Sequence, residues 1–164
     1  MVLKKILLLI ATFFNIGKFP KAPGTVATLA TIPIWWALWH AGPLIYMIVT
    51  LLLFPIGVMA AQAYESQSSV HDSKEIVIDE VVGFLITMVW LPMTWQSVLF
   101  GFVIFRFLDI VKPPPIRQLD QKIPGGLGVM LDDVAAGVIG SVILQLIYTQ
   151  TNWLGVQITN LTSP

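Results

Sequence analysis

Two pairs of adjacent carboxylates interrupt apolar runs in this chain: Asp79-Glu80 inside Ile76–Gly83, and Asp132-Asp133 directly before Val134–Gly140. Acids embedded in apolar helix mouths at or below headgroup depth cost on the order of 3 kcal/mol each by insertion scales, so they are functional by default. A helix start stabilised by acids against its dipole is the competing explanation, but a serine would cap more cheaply. Four carboxylates brought together repel unless a cation sits between them. Donors that are all oxygen, with no Cys in the chain and His only at positions 40 and 71, select a hard ion such as Mg²⁺. Asp79, Glu80, Asp132 and Asp133 are therefore the expected metal ligands.

The segment Phe105–Ile116 carries a second constellation. Arg106 and Asp109 stand three apart and share a helix face, and Pro113 forces Lys112 out of helical geometry, so a helix should end there. One acid and two fixed cations at a helix mouth suit a phosphate and its metal. A plain Arg106–Asp109 ion pair with a snorkelling Lys112 is the alternative. Two loops offer backbone N–H groups to a phosphate at a helix N-terminus: Lys21–Thr25, with Gly24 and Thr25 as phosphate-binding residues and Thr25 as N-cap, and Gly125–Gly128. Each is a weak signal by itself, because Pro-Gly and Gly-Gly commonly mark turns. In the polar loop before the first acid pair, Asp72 is a candidate further ligand or proton acceptor. The neighbouring His71 is either a proton relay or simply solvated.

The elements that hold these residues follow from composition. Of 164 residues, 56% are hydrophobic and 11% charged, against about 25% charged in a soluble domain. The chain must therefore find lipid. Net charge is zero and no basic patch stands out, which excludes a nucleic-acid partner. The absence of Cys excludes disulfides, thiolate metal sites and cysteine nucleophiles. Five apolar stretches run through residues 25–40, 43–63, 76–90, 97–108 and 134–148. Without the period of barrel strands they read as helices. The breaks are Ala41–Pro43, Glu65–Glu75, Leu91–Gln96 and the Pro/Gly segment Lys112–Gly128. Residues 1–14 resemble the start of a signal peptide but lack a convincing cleavage site, and are too short to span; an in-plane or packed amphipathic segment is expected.

Threading each stretch once through a bilayer puts all nine Lys/Arg on the side of Pro23-Gly24-Thr25, which the positive-inside rule makes cytoplasmic. All nine acids fall on that side as well. Glu65, Glu75 and Asp120 need no explanation beyond longer loops. Trp35, Trp36, Trp39, Trp90 and Trp95 gather at the opposite ends, as an aromatic belt would, and Ala136, Gly137 and Gly140 are close-packing positions between helices. The expected fold is all-α: a single polytopic membrane bundle over residues 1–164, with four to five hydrophobic helices plus a short N-terminal helix. The short third and fourth stretches also fit a re-entrant hairpin.

Taken together, Pro23-Gly24-Thr25, His71-Asp72 before Ile76–Gly83, Phe105–Ile116 and Gly125–Gly137 resemble bacterial phosphatidylglycerophosphatase A over residues 17–143. One departure is the third proline after Lys112, where a bulky residue between two prolines is expected. The resemblance implies an inner-membrane Mg²⁺-dependent phosphatase that converts phosphatidylglycerophosphate to phosphatidylglycerol and inorganic phosphate at the cytoplasmic leaflet. Within that frame the expected mechanism is metal-activated water. Asp79, Asp109, Asp133 and Asp72 would serve catalysis, Arg106 and Lys112 would neutralise the phosphate, and Asp109 would complete the metal shell or orient Arg106. An aspartyl-phosphate route ranks lower without an Asp-x-Asp arrangement. A lipid phosphotransferase would need a multi-aspartate signature that is missing, and a small transporter would need charges near the bilayer midplane. The sequence leaves the oligomeric state and the number of metals open.

Overall fold

Proline and glycine set the helix ends in this chain, and they set several of them elsewhere than the apolar runs predict. A computed structural model describes residues 2–68 and 73–155, the side chain of Asp120 excepted. The described residues form α1 (Val2–Ala11), a 3₁₀ turn (Ile16–Lys18), α2 (Pro23–Ala41), α3 (Pro43–Ser68), α4 (Ile78–Thr87), α5 (Trp95–Val111), α6 (Ile116–Lys122) and α7 (Gly125–Gln150). The all-α class stands as expected, and α3 and α7 are each long and apolar enough to cross a membrane.

Three boundaries correct the sequence reading. First, α2 starts at Pro23, with Ala22 as its N-cap at φ 50°. A proline at the first helical position loses no hydrogen bond and has its φ preset, so Thr25 lies inside the first turn and is not the cap. Second, α7 starts at Gly125, so Asp132 and Asp133 lie two turns inside a helix instead of opening one. Gly125–Gly128 is therefore the first turn of that helix rather than a loop before it. Its Gly126 N–H donates to Gln62 Oε1 at 3.0 Å, so a neighbouring helix already satisfies that donor. Third, the Lys112–Gly128 segment, expected to be a break, holds α6 as well as the start of α7.

The short α4 is the centre of the bundle, surrounded by α2, α3, α5 and α7. Val81, Val82, Phe84 and Leu85 are all buried. Its closest partner is α7, and Gly83 and Gly137 make that crossing possible. A Cβ on Gly137 would sit 2.5 Å from the Gly83 carbonyl oxygen, and one on Gly83 would sit 2.7 Å from the Asp133 carbonyl oxygen. The small-residue expectation for Ala136, Gly137 and Gly140 holds, since all three are buried.

Ten residues of α4 make only about 15 Å of helix, and its last carbonyls would be orphaned in an apolar surrounding. Side chains from three other helices satisfy the carbonyls of α4 and the turn that follows. Tyr46 Oη donates to Leu85 O at 2.6 Å, Gln145 Nε2 to Val89 O at 2.8 Å, and Trp39 Nε1 to Leu91 O at 3.1 Å. These bonds gather the Gly42 turn, the Leu91–Thr94 turn and the C-terminal end of α7 at one end of the bundle. Thr94 then caps α5 by accepting from Ser97 N–H at 3.1 Å. The chain thus doubles back twice at that end, and the charged motifs lie at the other.

Candidate active site

The opposite end of the bundle is built from four helix portions: the first turns of α2 and α4, the last turns of α5, and the second and third turns of α7. They enclose a cavity of about 210 Å³ whose lining includes Gly24, Asp79, Glu80, Arg106, Asp109, Lys112, Asp132 and Asp133. All but one of the described residues expected to act are therefore in one place. Thr25 is the exception: it does not line the cavity. His71 and Asp72 lie outside the described residues.

The acids enter from helices with fixed orientation. Asp79 and Glu80 occupy the first turn of α4, where carboxylates interact favourably with the helix dipole. Asp133 comes across from α7, carried by the Gly83–Gly137 crossing. Asp79, Glu80 and Asp133 each bring one carboxylate oxygen within 4.8 Å of the others. Asp79 Oδ1, Glu80 Oε2 and Asp133 Oδ2 are buried and accept no hydrogen bond from any described group. Buried oxygens without donors are costly, and three oxygen donors converging in one cavity fit a hard cation.

Asp132 departs from the expected four-ligand set. Neighbours on a helix diverge by about 100°, so Asp132 and Asp133 cannot both point at α4. Asp132 instead pairs with Lys112 Nζ. Lys112 reaches it because α5 ends where Pro113 demands: Val111 is the last helical residue and Lys112 adopts φ 46°, ψ 59°. The predicted helix end is thus borne out, while the side chain holds an aspartate within the cavity rather than projecting freely.

Arg106 bridges the remaining groups. Its Nη1 lies 2.5 Å from Asp109 Oδ2 and 3.6 Å from Glu80 Oε1. The Arg106–Asp109 ion pair and the site position, posed as alternatives by the sequence, are both present. Gly24 matters here for a steric reason. A Cβ at that position would lie 1.9 Å from Glu80 Oε1 and 3.2 Å from Arg106 Nη1, so the α2 backbone approaches this pair as only glycine allows.

The charge balance is decisive for the chemistry. Five carboxylates and three cations line the cavity, the third cation being Lys74 at the rim. Counted as formal charges the excess is two negative, in a place where like charges are poorly screened. A phosphate monoester would be repelled by that excess, and one divalent cation would cancel it. Ala22, Pro23, Ser73, Lys74 and Ile76 also line the cavity. Ala22, Pro23 and Ile76 belong to motifs already singled out, whereas Ser73 and Lys74 were missed, because a loop serine or lysine carries no periodic signal and is placed only by the tertiary fold.

The family model described as Phosphatidylglycerophosphatase A matches residues 9–148. A Phosphatidylglycerophosphatase A from Escherichia coli is 44% identical over 140 residues, covering 85% of this chain and 81% of the relative. A second, from Haemophilus influenzae, is 40% identical over 149 residues, covering 87% and 91%. A putative phosphatidylinositol-3-phosphatase from Bacteroides thetaiotaomicron is 37% identical over 144 residues, covering 83% and 89%. No solved structure gives a significant match.

Proposed function

Because the chain belongs to the phosphatidylglycerophosphatase A family, we propose that it hydrolyses the phosphate monoester of phosphatidylglycerophosphate, yielding phosphatidylglycerol and inorganic phosphate with Mg²⁺ as cofactor. The observation that carries this reading is the convergence of Asp79, Glu80 and Asp133 beside Arg106 in a cavity with excess negative charge. Those three carboxylates would hold the ion, with Asp132 and Asp109 next to them. Magnesium there supplies a Lewis acid for the phosphoryl oxygens and a bound water of lowered pKa.

The protein's own groups bind and orient the substrate. Arg106 offers a planar donor fork to the phosphate, and Asp109 keeps that fork in place from one helical turn away. Lys112 and Lys74 add positive charge to the same cavity, Lys112 from its position on Asp132. The N–H groups at the start of α2 lie against Glu80 and Arg106 through Gly24, where a helix N-terminus favours an anion. Asp79 and Asp133 are the groups best placed to accept the proton of an attacking water, since each is buried in the cavity and keeps an oxygen without a donor.

The membrane reading belongs to the same proposal. In it the bundle is a multi-pass inner-membrane protein, with α2, α5 and the short α4 packed beside the long α3 and α7 and the site facing the cytoplasm. Its support is that α3 and α7 pass the length and composition test and that every Lys and Arg maps to the site side of the threading. A charge reporter at Gly42, Thr94 and the C-terminus tests it; a cytoplasmic C-terminus would break the threading.

The activity test uses purified protein in detergent. Phosphate should be released from phosphatidylglycerophosphate with Mg²⁺, stop with EDTA, and be lost in Asp79→Asn. Normal hydrolysis by Asp79→Asn would remove that residue from the site. The Bacteroides relative motivates a second reading, a phosphatase for another lipid with a phosphorylated polyol headgroup. Phosphatidylinositol 3-phosphate in the same assay decides between them by the ratio of kcat/KM values.

A further inference from the structure

If the cavity takes a lipid phosphate, the lipid's acyl chains must lie somewhere against the bundle. We propose that one acyl chain of the substrate lies in the seam between α2 and α5, running from Gly24 and Arg106 down to the pocket framed by Trp36 and Trp95. This rests on the phosphatase reading above and adds a lipid-binding groove to it.

The seam is open because of how the two helices pack. α2 rests chiefly on α4 and α5 chiefly on α7, while α2 and α5 touch each other only sparsely. At the site end they meet through Gly24 and Arg106. Away from it they part around an apolar pocket of about 390 Å³, whose lining includes Ile32, Trp36, Trp95 and Val98. The pocket and the site share a helix face. On α5, Trp95, Val98, Phe102, Arg106 and Asp109 recur at three or four and are all at least partly exposed; α2 contributes Ile32 and Trp36 at the pocket, while its Thr28 is fully buried. Residues at those spacings lie one above another. A phosphate at Arg106 and a chain running past Phe102 and Val98 therefore stay on one continuous surface.

Length supports the same occupant. From Arg106 to Trp95 the helix rises about 16 Å, a distance that one extended acyl chain can follow. Trp36 and Trp95 remain exposed at the end of that path, where a chain terminus would reach them.

A larger apolar groove, of about 440 Å³, lies between α3 and α7 and includes Met47, Val134, Val138 and Val142. Helix geometry disqualifies it. Val134 and Val138 point about 200° and 240° around α7 from Asp132 and about 100° and 140° from Asp133, so both face away from the cavity. A lipid in that groove could not place its phosphate among the carboxylates without passing around α7.

The test is photolabelling by phosphatidylglycerophosphate with a diazirine at mid-chain, in lipid nanodiscs, with labelled peptides mapped and phosphate release read in the same samples. Labelling should concentrate at Ile32, Val98 and Phe102, about tenfold above Met47 and Val142, a ratio equivalent to ~1.4 kcal/mol of preference. A diazirine diacylglycerol lacking the phosphate should lose that concentration. Enrichment in the α3–α7 groove, even labelling of every apolar helix face, or identical labelling by the diacylglycerol overturns the seam. Seam labelling without phosphate release leaves the groove standing and defeats the phosphatase reading; release with scattered labelling does the reverse. As a second measurement, Val98→Trp should raise KM for the diacyl substrate about tenfold while leaving kcat/KM for the deacylated, water-soluble headgroup phosphate unchanged. Equal loss on both substrates, or no loss on either, contradicts the proposal.

Discussion

Gly24→Ala is a one-carbon change that should disable the site without harming the fold. The added Cβ would sit 1.9 Å from Glu80 Oε1, and ordinary contact begins at 3.4 Å, so the carboxylate oxygen must retreat by about 1.5 Å. Arg106 Nη1, at 3.2 Å from the same Cβ, has little room to yield in compensation. The obstructing group is the far end of a side chain, so the backbone of α2 can stay where it is. Alanine is also a better helix former than glycine by ~1 kcal/mol, so stability should not fall. Displacing a catalytic group by about 1 Å commonly costs on the order of 10²-fold in rate. Phosphate release from phosphatidylglycerophosphate micelles should therefore drop about 10²-fold in kcat/KM, with the Tm in detergent unchanged or slightly raised. Full activity in Gly24→Ala would refute the placement of Glu80 against α2, and a large fall in Tm would show that the contact supports the fold instead.

Glu80→Gln and Asp133→Asn should each lower activity at least about 10³-fold and shift the Mg²⁺ titration to higher concentration, with isothermal titration separating metal affinity from turnover. Lys112→Met should lower stability by about 2 kcal/mol by removing a cation paired with the buried Asp132 carboxylate; the pair is mostly but not fully buried, at 24% and 6% side-chain exposure. The double variant Lys112→Met/Asp132→Asn should recover most of that stability in thermal unfolding, but not the activity. Gly83→Ala should destabilise by ~1–3 kcal/mol, because its Cβ meets the Asp133 carbonyl oxygen at 2.7 Å and backbone cannot move aside as a side chain can. Thr25→Ala should stay within about threefold of the parent in kcat/KM, since Thr25 does not line the cavity.

The residue types of the site were legible in the sequence because charge is rare in so apolar a chain. An acid inside an apolar run stands out against its neighbours, so Asp79, Glu80, Asp132 and Asp133 could be picked without a structure. Which of them share a cavity corner could not. Asp132 and Asp133 are adjacent in sequence but diverge around the helix axis, and only the position of Lys112 on α5 decides which one it takes. Helix starts were misread for a related reason. Gly125–Gly128 carries turn chemistry locally, yet the close approach of Gly126 to Val58 and Gln62 on α3 lets it continue as helix. That contact is 64 residues away in sequence and leaves no local trace. The same holds for Ser73 and Lys74, whose place at the rim depends on where α4 begins.

Placing Asp79 and Glu80 at the mouth of α4 rather than at its middle explains how so short a helix can serve at the centre of the bundle. Its carbonyl end needs Tyr46, Gln145 and Trp39 from three different helices to satisfy Leu85, Val89 and Leu91, so that end is fixed by neutral hydrogen bonds. Its amide end instead presents Asp79 and Glu80 to a cavity of ionisable groups. One end of α4 is therefore insensitive to cations and the other is not. Tyr46→Phe separates the two. Losing the hydroxyl leaves the Leu85 carbonyl without that donor and should cost about 1–2 kcal/mol, while Mg²⁺ should stabilise the variant and the parent by the same increment in Tm. An increment that disappears in Tyr46→Phe would show that the two ends of α4 are coupled, and that the neutral end helps to set the geometry of the carboxylates.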